Sequence, residues 1–121
     1  MAAPKPSNIT YHQQSRILEI SFDEGSTFKM SAEYLRVHSP SAEVQGHSPD
    51  QAVLQTGKEN VKIEAIEPVG NYAVILRFSD DHDTGIYAWD TLYDLGKNQE
   101  TYWENYVLRL RDAGHAHKMD A

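Results

Sequence analysis

One stretch constrains this chain more than any other: Phe78-Ser-Asp-Asp-His-Asp-Thr-Gly-Ile-Tyr-Ala-Trp-Asp-Thr-Leu-Tyr-Asp-Leu-Gly96. It packs the densest polar cluster of the sequence, Asp80-Asp81-His82-Asp83, between aromatic and aliphatic residues suited to a core. A strand should end near Phe78, turn through the acids, and return from Gly85 to Trp89. Asp90 then has the side chain to cap a short helix, and Gly96, which enters the left-handed region cheaply, is placed to end it.

The rest of the chain supplies strands for that hairpin to pack on. Residues 1–7, with two prolines, read as a flexible lead. Ile9 to Gln13 suits a strand. After a turn at Gln14-Ser15, Arg16 to Phe22 puts Leu18, Ile20 and Phe22 on one face. Gly25 offers positive φ for a hairpin to Thr27–Met30, and Ser31 can cap a helix over Ala32 to Val37. From His38 to about Asn60 no sustained period survives.

Val61 to Ala65 alternates, and Gly70-Asn71 is a hairpin signal before Tyr72–Phe78. That strand sets Tyr72, Val74, Leu76 and Phe78 on one face and should lie centrally. Asn98 is placed to cap a long helix whose Tyr102, Trp103, Tyr106, Val107 and Leu110 recur at helical spacing, with Gly114 at its end. The expected fold is α+β: a small, mostly antiparallel sheet of about six short strands, with a short helix and a C-terminal helix packed on it. Residues 8–114 form the domain and 115–121 a flexible tail.

With 121 residues the chain makes one modest domain. No apolar run reaches membrane-spanning length, and the N-terminus lacks the apolar core of a secretion signal. The absence of cysteine excludes disulfides, thiol catalysis and thiolate metal sites. These features together suggest a cytoplasmic address. A net charge of −7, with no basic stripe, argues against nucleic-acid and anionic-membrane partners.

Candidate functional residues fall into two groups: Arg36 near the end of the expected helix with His38, Ser39, Ser41 and His47 on the long loop, and Asp80, Asp81 and His82 in the acidic turn. Carboxylates and imidazoles together suit a cation. Equally, Asp in a hairpin turn bonds nearby backbone donors and needs no ligand. Arg36 suits an anion or a neighbouring carboxylate. Trp89, Tyr102, Trp103 and Tyr106 suit a core better than a pocket, and His115 and His117 lie in the tail. No phosphate loop, nucleophile elbow or iron-binding motif is present, so no enzyme activity is indicated.

Two segments, Leu35-Arg-Val-His-Ser-Pro-Ser-Ala-Glu-Val44 with Gly46-His47, and Asp80 to Gly96, resemble the small N-terminal domain of gamma-butyrobetaine hydroxylase and its trimethyllysine relatives. The likeness covers roughly residues 8 to 112 and is nearest to the bacterial stand-alone form, a domain of unknown function. The same domain also occurs fused to iron–sulfur carrier ATPases. In the hydroxylases it holds a structural zinc through three cysteines and a histidine. The resemblance places those ligands at Ser39, Ser41, Val44 and His82, so three of the four are missing here. The catalytic iron of the hydroxylases lies in a different domain, so oxygenase activity does not carry over.

The expectation is a non-catalytic binding or accessory module with a protein partner, linked through the resemblance to iron–sulfur carrier or oxygenase machinery. No cofactor is expected. In place of zinc, the His82 ring should bond backbone or hydroxyl groups of residues 36–44. The alternative is a metal-binding protein that holds zinc or iron through His82 and loop histidines. A third reading is a small-ligand enzyme with its pocket between loop and turn.

Overall fold

The computed structural model describes residues 4–41, 44 and 54–114. Six strands form, as expected, but they divide into two three-stranded antiparallel sheets. The first joins β1 (Pro6–His12), β2 (Ile17–Phe22) and β3 (Thr27–Ser31) in sequence order. The second joins β4 (Ile63–Val69), β5 (Ala73–Phe78) and β6 (Ile86–Ala88), with β5 central. Between the sheets in sequence comes α1 (Ala32–Val37), and after them α2 (Trp89–Lys97) and α3 (Gln99–Asp112).

The sheets share one core. Leu18, Ile20, Phe22 and Met30 from the first meet Val74, Leu76, Phe78 and Tyr87 from the second, with Tyr34, Leu35, Leu92 and Leu95 from the helices. Period-two alternation therefore found the buried face of β2 and β5 correctly. Tyr72 is the exception: it sits in the hairpin turn, 57% exposed, because the strand starts one residue later. β1 begins at Pro6, inside the stretch expected to be a lead.

The caps differ from expectation in an instructive way. Ser31 does cap α1, its hydroxyl accepting from Tyr34 N–H at 3.0 Å. Asp90 does not cap α2. Ala88 holds that place, because Trp89 still donates its N–H to Tyr72 O across the sheet and the helix starts straight off β6.

Gly96 does not end α2 either; the helix runs on to Lys97. The glycine is needed for proximity, since a Cβ there would collide with the Phe28 ring. Asn98 stands at the start of α3, but its amide donates backward to Asp94 O and Oδ1, closing α2 instead. Gly114, at φ +83°, follows the end of α3 as expected.

α3 docks through Tyr106 and Leu110, both 3% exposed, with Tyr102, Trp103 and Val107 half-buried. No helix among the described residues is long and apolar enough to cross a membrane.

Candidate functional site

The β5–β6 connection brings the acidic turn against the C-terminal end of α1. Asp81 adopts φ 67°, a left-handed conformation that Asp tolerates better than most residues, and this folds the turn tightly. Phe78 N–H donates to His82 O at 3.0 Å, and His82 N–H donates to Asp80 Oδ1 at 3.3 Å.

Three ties then hold the turn to the 36–41 segment. Asp80 Oδ2 accepts from Arg36 Nε at 2.9 Å and from Lys58 Nζ at 2.6 Å. The His82 Nε2 and Ser39 Oγ atoms share a hydrogen bond at 2.9 Å, and Ser39 Oγ also accepts from Ser41 N–H. The hydroxyls of Ser41 and Thr84 are 2.7 Å apart. Below them, Tyr87 donates its hydroxyl to Leu35 O at 2.6 Å. Gly85 permits the approach, because a Cβ there would strike Ser39 Oγ. The expected bond from the His82 ring to a loop hydroxyl is therefore present.

Burial sorts the candidate residues. Arg36, Ser39, Ser41 and His82 are all at most 6% exposed. They therefore serve as internal ties, and Arg36 is not the exposed anion receptor that its sequence context allowed. One of its nitrogens, Nη1, is buried with no hydrogen-bond partner.

Burial raises the pKa of the Asp80 carboxyl, but the Lys58 hydrogen bond and the charge and bond of Arg36 outweigh it, so the pKa lies below the usual range. Asp81 is exposed, and Asp83 is nearly half exposed while paired with Arg77 at 2.9 Å.

His38 turns the other way. Its Nδ1 lies 2.8 Å from Tyr34 O, and its ring packs among Tyr34, Tyr102 and Tyr106. Burial lowers its pKa; the bond to Tyr34 O opposes that and the charge of Arg109 adds to it. His38 and His82 thus serve different contacts, and His47 lies outside the described residues.

The zinc ligand set implied by the family does not fit this chain. Ser39 and His82 are bonded to each other, Val44 is buried and offers no donor atom, and neutral serine hydroxyls lack the charge of thiolates. Among the described residues, no three His, Cys, Asp or Glu side chains gather for a metal ion.

The Ser39–His82 pair has the spacing of a nucleophile and base. Ser39 is fully buried, however, and the cavities of about 330 and 390 Å³ beside Trp103 do not include either residue. Lys58, Thr84 and Gly85 escaped the sequence reading. Lys58 joins Asp80 across 22 positions with no local pattern to reveal it.

The family model for "Gamma-butyrobetaine hydroxylase-like, N-terminal" matches residues 9–93. Two solution structures of proteins determined by NMR resemble the chain throughout. One is 43% identical with a TM-score of 0.83, covering 95% of this chain and 90% of its own. The other is 56% identical with a TM-score of 0.81, covering 94% and 85%.

A crystal structure of a protein of unknown function in the DUF971 family, from Acidithiobacillus ferrooxidans, is 38% identical with a TM-score of 0.65, covering 76% and 92%. No curated protein matches. The chain belongs to the gamma-butyrobetaine hydroxylase-like N-terminal domain family.

Proposed function

We propose that the chain is a non-catalytic binding module whose working surface is the acidic turn, with Asp81 and Asp83 as its presented charges. The observation that carries this reading is the set of ties beneath the turn. Buried Arg36, Ser39 and Ser41 bond to the side chains of Asp80, His82 and Thr84 and so fix the turn, while Asp81 and the Arg77-paired Asp83 are exposed. Fixing a loop before contact lowers the entropy cost of binding.

The partner is a protein with a basic face, since the chain carries a charge of −7. The family resemblance directs the search to iron–sulfur carrier and oxygenase machinery. A cytoplasmic setting suits a chain without cysteine. This reading calls on no zinc or iron: His82 Nε2 is engaged by Ser39 rather than offered to a metal.

Affinity capture from the source cell tests the reading. Asp81→Asn, which removes the charge but suits the left-handed backbone, and Asp83→Lys should each reduce recovery of the partner, and their urea stability should change by less than about 1 kcal/mol. Equal capture by both variants and the parent chain would refute it.

A further inference from the structure

We propose that β6 is a docking edge for an extended, basic segment of a partner protein, which pairs with it as an added strand. This rests on the binding-module reading and names the chemistry of what is bound.

The pairing pattern shows which backbone groups are open. Trp89 N–H reaches Tyr72 O, and pairing alternates along an antiparallel ladder. Tyr87 therefore faces Val74, while Ile86 and Ala88 turn their N–H groups away from β5. Ala88 O enters α2 as its N-cap carbonyl. The N–H and C=O of Ile86 and the N–H of Ala88 are left at the sheet edge, where β6 has no further neighbour among the described strands. The Ile86 side chain, opposite Ile75, is 49% exposed beside them.

The other described edges are guarded. β4 carries Pro68, which has no N–H to offer, β3 carries Lys29 at its centre, and β1 starts at Pro6. Ile86-Tyr87-Ala88 has neither charge nor proline.

Three backbone groups make only a short ladder, so charge must supply the rest of the affinity. Asp81 and Asp83 precede the edge and Asp90 follows it, all exposed. The nearby cation Arg77 is shared by Glu67 and Asp83, so that group keeps one net negative charge beside the charges of Asp81 and Asp90. A segment with a β-branched centre and Lys or Arg at both ends complements this pattern. A second copy does not, because antiparallel self-pairing would set Asp83 of one chain near Asp90 of the other.

The probe is the capped peptide Lys-Lys-Val-Thr-Val-Lys-Lys, added to isotope-labelled full chain at low salt, with Glu-Glu-Val-Thr-Val-Glu-Glu as control. The basic peptide should shift the Ile86 and Ala88 amides and slow their exchange roughly tenfold. The acidic peptide should do neither. Ile86→Lys, at an exposed position, should keep the fold and abolish the effect.

No binding of the basic peptide, equal binding of the acidic one, or shifts that bypass Ile86 and Ala88 would each overturn the proposal. If cellular capture survives Ile86→Lys yet fails with Asp81→Asn, the docking edge is wrong and the acidic-turn reading stands. If capture survives both Asp81→Asn and Asp83→Lys, the acidic-turn reading itself fails.

Discussion

The two sides of α1 are built on opposite principles. On one, Arg36 and Ser39 reach the acidic turn through ion pairs and hydrogen bonds of defined direction. On the other, Val37 and His38 meet α3 through Tyr106, Leu110, Tyr102 and Trp103, where buried area dominates. Six residues, Tyr34 to Ser39, thus serve a polar seam and an apolar seam at once.

The difference has a physical consequence. Apolar area stabilises wherever it is buried, at about 25 cal/mol per Å². A net hydrogen bond contributes only about 1 kcal/mol, but it dictates geometry. The apolar seam should therefore carry stability, and the polar seam should set the shape of the turn.

The largest effect should come from the apolar side. Tyr106→Ala removes a side chain that is 3% exposed and donates to Gln55 O at 2.7 Å. It should cost about 3 kcal/mol or more in urea unfolding. A loss under about 1 kcal/mol would mean that α3 rests loosely on the domain.

Arg36→Ala, on the polar side, should cost less, about 2 kcal/mol, the scale of one hydrogen bond to a charged group. Asp80 keeps Lys58 as a partner, and the variant relieves a buried nitrogen that has none. A cost above that of Tyr106→Ala would reverse the ranking of the two seams.

The smallest effect is in pH, and it separates the seams. His38 has a folded pKa below its unfolded value, near 6.5, so its contribution is complete above that pH and is lost as pH falls through the folded pKa. Asp80 behaves likewise from about pH 3.9 downward. Melting temperature should thus decline first in weak acid, and His38→Gln should flatten that part only. A weak-acid decline unchanged in His38→Gln would remove His38 as its source.

The fold was largely legible because alternation reports burial directly. Leu18, Ile20, Leu76 and Phe78 declared themselves by period alone, as did Tyr106 and Leu110. Gly96 was misread because a glycine needed for close packing against Phe28 looks, in sequence, like one needed for a turn. Asp90 and Asn98 were misread because a cap depends on where the preceding element releases the chain. At the site, the His82 contact was legible through the family pattern. The pairing of Asp80 with Lys58 was not, since ion-pair partners distant in sequence leave no periodic trace.

Hydrogen bonds of Arg36 to Asp80, Ser39 to His82 and Ser41 to Thr84 tie the 36–41 segment to the turn, and no metal should be needed to hold it there. Residue-resolved amide exchange on the wild type and His82→Ala, each with and without EDTA, tests it most directly. In His82→Ala, amides of residues 36–41 should exchange roughly tenfold faster, while those of Leu18, Leu76 and Tyr87 keep their protection. EDTA should change neither protein. Unaltered exchange at residues 36–41 in His82→Ala, or loosening of the wild type by EDTA, would contradict the account.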